Sequence, residues 1–203
     1  RSAAAAAPPG AAPPVAAPPV AAPPAPVAGG PRARVEDIGA ALQAAMAAAR
    51  GAEAGADKGV AAWKDVVAKH AGKQAPRREL ARVLRGAAMW PQLVEALRDE
   101  EQKVATAGAE KAEVFRELAA AYGKVGNENQ VIASLQQALS NAPDAELYDQ
   151  LAAIYENKKR WPDLVKVLGE KAERVGGADQ AAIYLQIANL YLERFANQAE
   201  AIK

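Results

Sequence analysis

From Val35 to the end of the chain, apolar residues recur three and four positions apart between Glu, Lys, Arg and Gln, and no stretch alternates apolar and polar residues. Spacing of three and four puts side chains on one helix face, so the region reads as helices in succession. Three of these helices share one pattern. Phe115, Leu118, Ala119 and Tyr122 are followed by Tyr148, Leu151, Ala152 and Tyr155, and then by Tyr184, Ile187, Ala188 and Tyr191. A weaker copy stands at Leu80, Ala81 and Leu84. In each, a small alanine beside an aliphatic residue lets a second helix approach closely, and the aromatic one turn on fills the gap between units.

A second periodicity is independent of the first. Trp90-Pro91-Gln92-Leu93-Val94 matches Trp161-Pro162-Asp163-Leu164-Val165 after 71 residues, which accommodates two units of about 35. Each unit is predicted to be a helix hairpin. Pro91 and Pro162 fall in the first turn of second helices, where a missing N–H is not needed. In the middle unit Gly123, Gly126 and Asn127 form the turn. Asn127 caps a helix carrying Val131, Leu135, Ala138 and Leu139, and Pro143 closes the unit.

This pattern resembles the tetratricopeptide repeat family, W-x2-L-G-x2-Y…A-x3-F…P, through Phe115, Leu118, Ala119, Tyr122, Val131, Leu135, Ala138 and Pro143. Phe stands for Trp, Ala for Gly, Val for Ala and Leu for Phe. The resemblance implies an all-α, right-handed α-solenoid of antiparallel hairpins. Repeats are expected at about 74–111, 112–144 and 145–180, with an incomplete one at 181–203. Residues 35–73 read as a degenerate N-terminal repeat, with Ile38, Leu42, Met46 and Ala49 on one helix and Gly59, Val60, Trp63 and Val66 on the other. Ala199–Lys203 reads as the opening of another helix, so the natural chain is expected to continue.

Residues 1–34 are different in kind. The first 31 hold 13 Ala and 10 Pro, repeating Ala-Ala-Pro-Pro. Paired prolines fix φ and favour polyproline II, so this stretch is expected to be a disordered linker. A PxxP ligand for an aromatic groove is the sharper alternative.

Composition alters the picture in two ways. Alanine accounts for 54 of 203 residues, so much of the apolar content consists of single methyl groups. The formal charge of +1 comes from 25 basic and 24 acidic residues. Arg1, Arg32 and Arg34 lie in the linker, and the rest holds 22 basic against 24 acidic groups. A nearly neutral repeat region gives no reason to expect a nucleic-acid partner. No apolar run is long enough to span a membrane. Ala-, Arg- and Pro-rich usage suggests a GC-rich bacterial genome. The compartment stays open, with the cytoplasm slightly favoured.

Catalytic chemistry is sparse. There is no cysteine, a single histidine, His70, and the serines are Ser2, Ser134 and Ser140. No P-loop, dinucleotide fingerprint or calcium loop occurs, and no catalytic residue, metal site or cofactor is expected. Glu100 and Glu101 read as a solvated helix face. His70 reads as a surface residue near a helix C-terminus, and Trp90 and Trp161 as packing between units.

The family presents its first helices on a concave surface that holds peptides, so the resemblance implies function there. In the repeat phase the outward positions are Arg78, Arg82 and Arg85, then Arg116, Ala120 and Lys124, then Asp149, Ala153 and Glu156, then Leu185, Asn189 and Leu192. The arginines are expected to accept an acidic stretch of a protein partner, and the Asp149/Glu156 half a basic one. The alternative is a solvated face balanced by Glu79 and Glu117. The family's clamp for a chaperone C-terminus is not expected, because only Asn189 matches it. Protein partners are therefore the leading expectation. Docking within a multienzyme or envelope complex, and RNA binding by helical repeats, remain as alternatives.

Overall fold

The computed structural model describes the backbone of residues 31–195 and the side chains of residues 38–194. Most of the expected linker, residues 1–30, and the expected helix opening at Ala199–Lys203 lie outside the described residues. The chain divides after Gly39 into two units. The first contributes the opening of α1 (Pro31–Gly51), which begins inside the stretch assigned to the linker. Pro31 at its first position needs no backbone donor, so a proline that reads as linker also suits a helix start. Ile38, expected on a buried face, is exposed.

In the second unit a short 3-10 turn (Ala52–Ala54) leads to α2 (Ala56–Lys69), α3 (Gln74–Gly86), α4 (Trp90–Lys103), α5 (Ala109–Val125) and α6 (Glu128–Asn141). It continues through α7 (Ala145–Asn157), α8 (Trp161–Ala172) and α9 (Gly177–Leu190), ending in a π-type turn at Tyr191–Phe195. No strand occurs among the described residues. Each helix from α2 onward packs on the next, which makes a solenoid of helix hairpins. The expected junction 144/145 falls between helices. Those at 111/112 and 180/181 fall inside α5 and α9, each of which starts a turn earlier than its apolar pattern.

Two apolar clusters form the core. One runs from Met46 and Trp63 through Leu84 and Leu97 to Tyr122, and the other from Ala119 through Leu151 and Leu168 to Ile183. Phe115 and Val131 pack against both, so the α5–α6 hairpin joins them. Of the alanines beside the aliphatic residues, Ala81 and Ala119 are buried as expected, while Ala152 and Ala188 are only half-buried.

The turns inside the hairpins are copies of one another. Gly126 closes α5 with φ 79°, while Ala88 and Lys159 take φ 55° and 54° at the equivalent places before α4 and α8. In each, the N–H of the following residue donates to a carbonyl five residues back: Asn127 to Tyr122, Met89 to Leu84 and Arg160 to Tyr155, at 2.8–2.9 Å. This is a Schellman closure, and only glycine occupies its left-handed position without strain. Asn127 accepts from the Gln130 N–H as expected, and Asp144 caps α7 by accepting from the Glu146 N–H.

Candidate peptide-binding groove

The first helices α3, α5, α7 and α9 border three hollows in sequence. The first, about 370 Å³, lies between α3 and α5 and is lined by Arg85, Trp90, Leu93, Ala120 and Lys124. The second, about 560 Å³, lies between α5 and α7 over a floor of Ala119, Leu135 and Leu147, with Ala120 and Ala153 at its walls and Arg116, Glu146 and Gln150 at its rim. The third, about 350 Å³, is bordered by α7, α8 and α9 and lined by Glu156, Trp161, Leu185, Asn189 and Glu193.

Their sizes follow from the repeat. Trp90 and Trp161 begin α4 and α8, and each indole projects into a hollow as well as packing on a core cluster. Each also carries a cation over its ring: Lys124 Nζ is 6.0 Å from the Trp90 centroid, and the Arg194 guanidinium is 4.9 Å from Trp161. The middle unit begins its second helix with Glu128 instead. Without an indole the middle hollow is the largest of the three.

The predicted site residues separate into two groups. Arg85, Arg116 and Lys124 line the first hollow, Arg116 also reaches the second, and Glu156 and Asn189 line the third. Arg78, Arg82 and Asp149 line none of the three. Arg82 turns to Glu53 at 2.6 Å and Glu79 at 2.7 Å. Arg78 places Nε 2.6 Å from Glu100 and Nη1 2.9 Å from Glu117, whose other oxygen pairs with Arg85. Arg116 pairs with Asp144, and Asp149 with Lys171. Lys124, Glu156 and Glu193 form no ion pair among the described residues.

These contacts shape the local electrostatics. Hydrogen bonds from Arg82 and then from the buried Trp63 indole hold the Glu53 carboxyl below its ordinary range. Glu100 behaves in the opposite way, and it is not the solvated residue expected. It is fully buried, because Arg78 and Gln74 reach it from α3, and its Oε2 has no hydrogen-bond partner. Burial pushes its carboxyl up, against the pull of Arg78. Arg77, also buried, donates to Asp99 and to the carbonyls of Ala71 and Lys73, tying the α2–α3 turn to α4.

Reading the sequence missed Trp90, Trp161, Glu117 and Gln150 as groove residues. The tryptophans carried a signal: their 71-residue displacement is nearly that of Lys124 and Arg194, 70 residues apart, so each indole–cation pair recurs as a unit. Ser134 is buried in α6, and His70 follows α2 half-exposed. Among the described residues no cluster of acidic or histidine side chains could hold a metal, and no helix is long and apolar enough to cross a membrane.

No protein-family model matches the chain, and no curated protein is similar to it in sequence. Solved structures resemble it in fold. A crystal structure of MamA protein is 16% identical with a TM-score of 0.52, over 81% of this chain and 87% of that one. The fold is a tetratricopeptide-like helical repeat. Another MamA structure gives 18% identity and a TM-score of 0.48 over 72% of this chain and 82% of that one. The C-terminal part of a TPR repeat-containing protein from Cytophaga hutchinsonii gives 13% and 0.47, over 74% of this chain and 57% of that one. At such identities the likeness is one of fold, and function has to come from the groove.

Proposed function

We propose that this chain is a non-catalytic interaction scaffold whose groove along α3, α5, α7 and α9 holds an extended or helical segment of a partner protein. The observation that carries this reading is the row of three hollows, with an apolar one of about 560 Å³ at its centre. That volume holds more than one bulky apolar side chain, and Gln150 and Glu146 at the rim offer hydrogen bonds to the segment's backbone. Lys124 gives the first hollow a cation free for an acidic residue. Glu156 and Glu193 make the third a place for a basic one. The segment therefore has a preferred direction, acidic toward α3 and basic toward α9.

Peptides selected from a displayed library on the full chain test this reading. The selected sequences are expected to share a bulky apolar residue between an acidic and a basic one. Ala153→Trp, which fills the central hollow from an exposed position, is expected to weaken them more than tenfold, while Gln137→Trp on the opposite side of the hairpins leaves them unchanged. Equal effects from both variants would remove the groove as the binding surface.

A further inference from the structure

The arginines that make α3 look like an anion site already hold a carboxylate. Glu117, on the neighbouring first helix α5, gives one oxygen to Arg78 and the other to Arg85, so a single side chain takes both guanidinium groups. It lines the first hollow beside Arg85 and Lys124, at the place where an acidic ligand would arrive, and is itself only 19% exposed.

We propose that Glu117 is a built-in competitor for the groove's anion site: an internal carboxylate, steadied by Arg78 from outside the hollow, that occupies Arg85 within it and must be displaced before an acidic segment of a partner binds there. This deepens the scaffold reading and rests on it for its biological meaning. The reasoning is one of matched chemistry. A guanidinium pair that binds one carboxylate through separate donors suits a second carboxylate in the same geometry. Arg78 keeps Glu100 whether or not Glu117 stays, so it remains oriented when Glu117 leaves. Arg85 has no second carboxylate among the described residues and is half-exposed, so it becomes the free cation. The hollow holds Arg85, Arg116 and Lys124 against Glu113 and Glu117. Neutralising Glu117 leaves three cations facing one carboxylate. Glu113 supplies the internal control, because it lies on the same helix and lines the same hollow, yet is 54% exposed and approaches Arg116 only to 3.9 Å.

The test uses the full chain and a fluorescein-labelled hexaglutamate peptide, read by anisotropy at low and at moderate salt. Wild type is expected to bind weakly. Glu117→Gln is expected to bind roughly tenfold more tightly, with a steeper salt dependence, while Glu113→Gln, with the same change in net charge, stays within about twofold of wild type. Adding Arg85→Gln to Glu117→Gln removes the gain. A helical circular dichroism spectrum and an unchanged melting profile verify that each variant is folded. Equal gains from Glu113→Gln and Glu117→Gln would overturn the proposal, because the effect would then be net charge alone. No gain from a folded Glu117→Gln would overturn it as well. The scaffold reading fails separately, on insensitivity of selected peptides to Ala153→Trp.

Discussion

Helices α3 and α9 are first helices at opposite ends of the same groove, and they treat their surfaces in opposite ways. On α3 all three groove-phase arginines are held by carboxylates of the chain itself, from Glu53 before α2 to Glu117 on α5. On α9 no ion pair forms among the described residues, and Leu185, which lines the third hollow, is 64% exposed. A charged helix is therefore the satisfied end of this groove and an apolar one the open end. Charge along a sequence is not charge available to a partner. What matters is what the neighbouring elements supply, and each arginine of α3 finds a partner on α4, on α5 or on the turn before α2.

The largest expected effect probes whether the two ends share one core. Leu84→Ala removes a fully buried side chain from the first cluster and Leu151→Ala from the second, each at a cost of about 3 kcal/mol. Hydrogen exchange is expected to show Leu84→Ala loosening α2–α4 and Leu151→Ala loosening α7–α9, since a repeat array transmits stability mainly to its neighbours. Uniform loosening would mean a single cooperative core. Of similar size is Arg77→Ala, which leaves the carbonyls of Ala71 and Lys73 without their donor and Asp99 with Lys103 as its remaining partner. A loss of about 3 kcal/mol in urea titration is expected, confined to the arginine-rich end.

The pH response sharpens the contrast. Glu100 has its carboxyl pushed up by burial, so ionising it costs the folded state more than the unfolded one. Its contribution is most favourable below the ordinary carboxylate range and is lost as pH rises through its elevated value. Glu100→Gln does not ionise, so its stability relative to wild type is expected to improve between pH 4 and pH 7 in parallel urea titrations. A difference independent of pH would show that the buried carboxylate is not strained by its charge. Glu53 runs the other way: its lowered value gives stability above the carboxylate range that disappears on acidification.

The smallest effect concerns the turns. Gly126→Ala forces a side chain into a left-handed conformation and is expected to cost about 1 kcal/mol, although no atom obstructs it. Lys159→Gly relieves the same strain and is expected to raise the melting temperature slightly. Ala88→Gly provides the matching measurement at the arginine-rich end.

The helices and their pairing were legible because burial repeats every three or four residues. The aromatic pattern placed Leu118, Tyr122, Leu151 and Tyr155 in the core, where they lie. The turn geometry was legible only at Gly126, since Ala88 and Lys159 occupy the same conformation without the residue that advertises it. The groove was legible as a set of positions and not as a set of free charges. Glu117 lies 39 residues from Arg78 and Glu100 lies 22, and only the packing of α3 against α4 and α5 brings the three together. Trp90 and Trp161 were read as packing residues because a half-buried indole looks the same in sequence whether or not its other face lines a hollow.

The most direct measurement compares two ways of damaging the groove with one selected peptide. Affinity is measured for Arg82→Glu, a reversal at the satisfied end, and for Ala153→Trp, which fills the open central hollow. The expected result is a change within twofold for Arg82→Glu, because that arginine serves Glu53 and Glu79, and a loss of more than tenfold for Ala153→Trp. A large loss from Arg82→Glu with binding retained by Ala153→Trp would contradict it, making the arginine face, and not the central hollow, the surface that binds.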